Sequence, residues 1–133
     1  MIDVAHVFLT KAGESLAGAE SELANGRYNN CANRCYYACF QAAIAALVRE
    51  KIDPSGSQGR WGHAVVQSEF VRQLIQRRKV YPGELRDVLA RCLSLRQQGD
   101  YSVIPVAETM ASRALRRARQ FVEAVQARGS ESR

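Results

Sequence analysis

Apolar residues recur at spacings of three and four along most of this chain, the period of helices with one face turned to a core. Val4, Phe8, Ala12, Leu16, Ala19 and Leu23 form the first stripe, and Asn25-Gly26 is a good stop after it. A second helix is predicted from about Tyr28 to Glu50. Its small residues, among them Cys31, Cys35, Ala38, Cys39, Ala42, Ala45 and Ala46, let another helix approach its backbone, so it should be the central one. Asp53 to Gly59 lacks apolar periodicity and is rich in turn formers, which predicts a loop and the most mobile segment. The third helix, starting at Gly62 or His63, turns Val66, Phe70 and Leu74 inward and ends at the basic Arg77-Arg78-Lys79, where cations complement the helix dipole. Pro82 then suits the first turn of a fourth helix with Leu85, Val88, Leu89, Cys92 and Leu95 on its apolar stripe. In a fifth, from about Pro105 to Ala127, Ala107, Met110, Ala114, Ala118, Phe121 and Val125 share a face, with Arg113, Arg116 and Arg119 projecting the other way. No run reads as a strand, and no internal repeat occurs. An all-α fold follows, an antiparallel bundle of four to five helices.

A chain of 133 residues, 47% of them hydrophobic and only 3 of them Pro, is expected to form one helical domain over residues 1–128, with a disordered tail at 129–133. No apolar run approaches the roughly 18 residues of a membrane span, and Met1-Ile2-Asp3 opens directly into a helical pattern rather than a signal peptide. Cytoplasmic residence, without a membrane partner, is the expectation. Cys31, Cys35 and Cys39 recur every four residues on one helical face, far from Cys92, and neither histidine, His6 or His63, sits at ligand spacing from them. Buried structural thiols are therefore expected, with no metal and no cofactor. The charge changes the picture more. Residues 51–133 hold 15 basic against 8 acidic side chains, and 16 of the 19 basic residues of the whole chain are Arg, whose planar fork matches phosphate oxygens. That favours a nucleic acid or nucleotide, against the plainer reading of a solvated surface.

Two motifs sharpen this. Asn25-Gly26-Arg27-Tyr28 leads into Ala32-Asn33-Arg34, Tyr36-Tyr37-Ala38, Phe40 and Ala42-Ala43, and Leu95-Arg96-Gln97-Gln98-Gly99-Asp100-Tyr101 follows later, with His63 between them. The first segment resembles the second helix of HEPN domains. The second resembles the Arg-x-x-Ala-Asp-Tyr that ends their fourth helix, with Gly99 in place of Ala. The resemblance covers residues 3–127. It implies a helical bundle that forms homodimers and is commonly paired with a small nucleotidyltransferase, in toxin–antitoxin or related stress systems.

Many members of that family are metal-independent ribonucleases with an Arg followed four to six residues later by a His at a dimer interface. The chemistry explains the pairing, because attack through a 2′-hydroxyl needs a group titrating near neutral pH and a fixed cation on the phosphate. Arg96 carries over as the Arg, but Tyr101 occupies the His position, and a phenol with an ordinary pKa of about 10 is a poor general base. The match is instead to the non-histidine branch. Arg96 and Asp100 are four apart on a helix, so an ion pair locking the helix end is available, with Tyr101 packed beside Tyr36 or Tyr37. His63, in Arg60-Trp61-Gly62-His63, misses the family spacing, yet it can meet Arg96 in space, while Trp61 can stack a base. Its plain alternative is a cap or packing role. Arg34, on a largely apolar helix, needs a partner, either Asp100 or Asp87, or else faces a groove and binds an anion.

The resulting expectation is a homodimeric component that binds RNA or a nucleotide phosphate through Arg34, Arg60 and Arg96, and docks a minimal nucleotidyltransferase antitoxin. The alternatives are a divergent endoribonuclease toxin using Arg96 with Tyr101 or His63 as catalytic groups, and a purely structural partner protein.

Overall fold

The computed structural model describes residues 1–53 and 62–131. Its α-helices are α1 (Val4–Ala24), α2 (Tyr28–Arg49), α3 (His63–Glu69), α4 (Val88–Tyr101) and α5 (Glu108–Glu131), and the described residues contain no strand. The expected loop at Pro54–Gly59, together with Arg60 and Trp61, lies outside the described residues.

The Asp3 side chain accepts a hydrogen bond from the His6 backbone N–H at 3.1 Å and so caps the first turn of α1. At the other end Gly26 takes φ +75°, and the Gly26 and Arg27 N–H groups donate back to the Leu23 and Glu22 carbonyls at 3.1 and 2.9 Å. This left-handed cap reverses the chain, and α1 packs back along α2. The line of closest approach on α1 consists of Ala5, Ala12, Ser15 and Ala19, all buried, while Val4 is exposed and Phe8, Leu16 and Leu23 are half-buried flanks. The expected stripe is thus displaced. Small side chains occupy the contact line because the two backbones come close, and the larger ones close its margins.

α2 is central, as its composition predicts: it packs against α1, α3, α4 and α5, and residues Ala42 to Leu47 are buried without interruption. Its C-terminus repeats the cap of α1, with the Lys51 and Ile52 N–H groups donating to Val48 and Leu47 carbonyls at 3.0 and 2.9 Å, but here a Lys holds the left-handed position at φ 64°.

After α3 the helix widens into a π-helix over Phe70–Arg77, a feature that apolar spacing does not distinguish from an ordinary helix. Val66, Phe70 and Leu74 still point inward as expected, and the Phe70 ring lies 4.9 Å from Phe121 and 5.3 Å from Tyr81. Pro82 does not open the fourth α-helix. It precedes a single 3-10 turn, Gly83–Leu85, and α4 starts at Val88. On α5 the inward face is Ala111, Ala114, Leu115, Ala118, Phe121, Val122 and Val125. Ala107 lies before the first turn and Met110 is exposed, so those two leave the predicted face; the helix also runs past Ala127 to Glu131. Arg119 is not simply solvated, because it pairs with Glu20 of α1 at 3.1 Å.

No helix among the described residues is long and apolar enough to cross a membrane. All four cysteines are free and buried. Cys31 and Cys35 have their sulfurs 4.0 Å apart, and the hydrogen bond with Cys31, then burial, push the Cys35 thiol far above its ordinary range. Among the described residues no group of His, Cys, Asp or Glu is arranged to hold a metal.

Candidate functional site

The packing of α4 on α2 sets Arg96 against the paired tyrosines. Arg96 Nε donates to Asp100 Oδ2 at 3.1 Å, one helical turn on, and only 17% of the Arg96 side chain is exposed. Its guanidinium carbon lies 5.8 Å from the Tyr36 ring centre and 5.5 Å from that of Tyr37. Packing on two π faces and one carboxylate fixes the plane of this cation. Among the described residues no hydrogen bond engages its Nη1 or Nη2. The four N–H donors on these two nitrogens are left available.

Arg34 approaches the same ring from within α2. Its guanidinium carbon is 5.2 Å from the Tyr37 centre, so both cations stand within 5.5 Å of one aromatic ring. The partner of Arg34 is neither Asp100 nor Asp87. It is the neighbouring Asn33, whose Oδ1 accepts from Nε at 3.1 Å and from Nη2 at 2.8 Å, while the Asn33 amide nitrogen donates to Asp100 Oδ2 at 3.4 Å. Asn33 thereby couples Arg34 to the Arg96–Asp100 pair. Nothing in the local sequence separates it from Asn29 or Asn30, and only the juxtaposition with α4 reveals it. Arg34 also lines a concavity of about 260 Å³ with Glu22, whose carboxylate opposes an anion there.

His63, at the start of α3, lies across the aromatic cluster from this pair. Its ring centre is 4.7 Å from Phe40, 5.4 Å from Tyr36 and 6.3 Å from Tyr37, and its Nδ1 is hydrogen-bonded to the Tyr36 hydroxyl. Burial, with a smaller contribution from Tyr37, holds the Tyr36 phenol protonated well above its usual range. A buried phenol donates its proton to an available acceptor, and among the described residues its hydrogen-bond partner is His63. The imidazole therefore accepts at Nδ1 and carries its own proton at Nε2. Although much of His63 faces solvent, partial burial of the ring first, and the Arg96 charge second, lower its pKa from the ordinary 6.5. It is neutral at pH 7, and its exposed nitrogen is a hydrogen-bond donor. As a proton acceptor it is poorly set up.

The Tyr101 side chain does not pack beside Tyr36 or Tyr37. It is 77% exposed at the end of α4, because the helix ends there and the chain turns away through Ser102. Arg60 and Trp61 lie outside the described residues. His6 is exposed in the first turn of α1.

The site residues are thus drawn from the middle helices α2, α3 and α4, and the whole arrangement falls within one family match. No curated protein matches the chain. The HEPN domain family matches it over residues 5–128, from the first turn of α1 to near the end of α5. That span takes in nearly all of the 133 residues, and the chain belongs to the HEPN domain family.

Proposed function

We propose that this protein binds a phosphate group of RNA or of a nucleotide at the Arg96 site, as a homodimer partnered with a minimal nucleotidyltransferase in a toxin–antitoxin or stress system. The observation that carries the phosphate reading is the meeting of Arg34 and Arg96 on the Tyr37 ring with a single carboxylate, Asp100, between two cations. The cluster keeps a net positive charge, and the open Nη edge of Arg96 is a bidentate donor of the kind phosphate accepts. Arg60 is proposed to add to it. The His63 tautomer favours binding over cleavage, because Nε2–H can donate to a phosphate oxygen but cannot take a proton from a 2′-hydroxyl. Family membership supports the dimer and the partner.

Arg96→Ala should weaken binding of RNA or nucleotide by about 1–3 kcal/mol, the range for a charge-assisted hydrogen-bonding group. Asp100→Ala frees the same guanidinium of its carboxylate and should preserve or strengthen binding while lowering thermal stability. Equal loss of binding in both variants would reduce the pair to a structural lock. Tyr101→His restores the Arg-x4-His spacing of the nuclease branch. If the unaltered protein already cuts RNA in the presence of chelator and this change leaves the rate as it was, the binding-only reading fails.

A further inference from the structure

A second concavity, of about 290 Å³, lies between α4 and α5 on the side of α4 away from Arg96. Residues 91, 94, 95 and 98 share one helical face, whereas 96 and 100 lie on the opposite one, as the helical period requires. Three arginines line this groove: Arg91 from α4, and Arg113 and Arg117 from consecutive turns of α5. Arg27, Arg72 and Arg119 each pair with a carboxylate on this molecule, but no ion pair or hydrogen bond engages Arg91, Arg113 or Arg117 among the described residues. Among the described residues no carboxylate lines the groove. Holding three unpaired cations around one small hollow is unfavourable unless an anion of matching charge density enters it.

We propose that this groove is a second anion site, built for a phosphate ester. A phosphate presents three acceptor oxygens and up to two charges within the span of three guanidinium forks, and a single carboxylate cannot occupy all three. The Ser94 hydroxyl adds a donor at the rim. Leu95 and Met110 supply apolar surface beside the cations, on which a ribose or base attached to the phosphate can rest. The ligand is either a stretch of RNA strand or a free nucleotide, which share this chemistry. The proposal does not depend on the Arg96 site, since the two sets of residues are separate.

The test uses the full chain at low salt with three probes: ATP, a single-stranded RNA oligonucleotide, and oligoglutamate as a polyanion without phosphate. Because Arg91 and Arg113 are exposed, the double variant Arg91→Gln/Arg113→Gln is expected to fold, and circular dichroism checks it. Each arginine removed should weaken the phosphate ligand about tenfold, and Arg96→Ala should leave this loss additive and undiminished. A free nucleotide is indicated if ATP binding is lost in the double variant. A strand is indicated if the oligonucleotide alone is affected, and the triple variant that adds Arg117→Gln should then show a salt dependence lower than that of the unaltered protein by roughly two in log–log slope. Failure of both phosphate probes to bind, binding unchanged in the double variant, or oligoglutamate binding as tightly as RNA would overturn the proposal.

Discussion

At His63 two causes depress the protonated form, desolvation against the aromatic rings and the charge of Arg96. The unfolded chain, with an ordinary value near 6.5, therefore binds this proton more readily than the folded protein does. Stability from His63 is complete above that pH and is lost as pH falls through the folded-state value. Two substitutions test the Arg96 charge and the Tyr36 hydrogen bond one at a time. Arg96→Ala removes the repulsion, Tyr36→Phe removes the donor that holds the neutral ring, and each should move the His63 titration midpoint upward when followed by NMR. A midpoint that stays put in Tyr36→Phe would contradict the Nε2–H tautomer, and one that stays put in Arg96→Ala would remove the charge as a cause. The Arg96–Asp100 pair itself is largely shielded yet still touches water, so Asp100→Ala is expected to cost about 1 kcal/mol, measured by denaturant unfolding.

At the scale of the helices, caps and contact lines decide what each element tolerates. Lys51 occupies a left-handed cap position that disfavours a side chain, so Lys51→Gly should stabilise the protein by about 1 kcal/mol. Gly99 is the opposite case. In the interior of α4 an Ala would gain about 1 kcal/mol in helix propensity. Its Cβ, however, would stand 3.1 Å from the Asn29 carbonyl oxygen and 3.3 Å from the Asn29 Cα, and that turn is pinned by the Val106 N–H donating to Asn29 Oδ1 at 2.9 Å. Overpacking against a backbone costs about 1–3 kcal/mol, so Gly99→Ala should lower the melting temperature even though the family pattern carries Ala there. The same close packing makes the cysteines structural. Cys35→Ala is expected to cost about 1 kcal/mol through lost packing, with RNA or nucleotide affinity unchanged. Stoichiometric zinc in the purified protein, lost on that substitution, would contradict this.

For the molecule as a whole, the proposed dimer has a candidate surface at the end of α4 and the turn beyond it. Tyr101, Val103 and Ile104 are 77%, 99% and 65% exposed, three large apolar residues in four positions. Light scattering at micromolar concentration should give about twice the 14.8 kDa chain mass, and Val103→Asp should shift it toward the monomer. A monomer in the unaltered protein would remove the dimer.

The number and order of the helices, the centrality of α2 and the inward positions of α4 were legible in the chain because they depend on local periodicity and side-chain size alone. So was the motif carrying Arg96 and Asp100, since four residues on a helix define a spacing whatever surrounds it. The contact line of α1 was legible only in part: Ala12 and Ala19 lie on the periodic stripe, whereas Ala5 and Ser15 carry a weak hydrophobic signal and become interior only when another backbone lies against them. The π-helix escaped for a similar reason: a hydrogen bond shifted by one residue leaves the apolar spacing almost unchanged. The partner of Arg34, the proton position on His63 and the groove of Arg91, Arg113 and Arg117 were decided by tertiary structure. The His63 proton depends on Tyr36 and the groove on α4 meeting α5, residues distant in the chain, while the partner of Arg34 is its neighbour Asn33, whose amide is engaged by Asp100 only because α4 packs on α2.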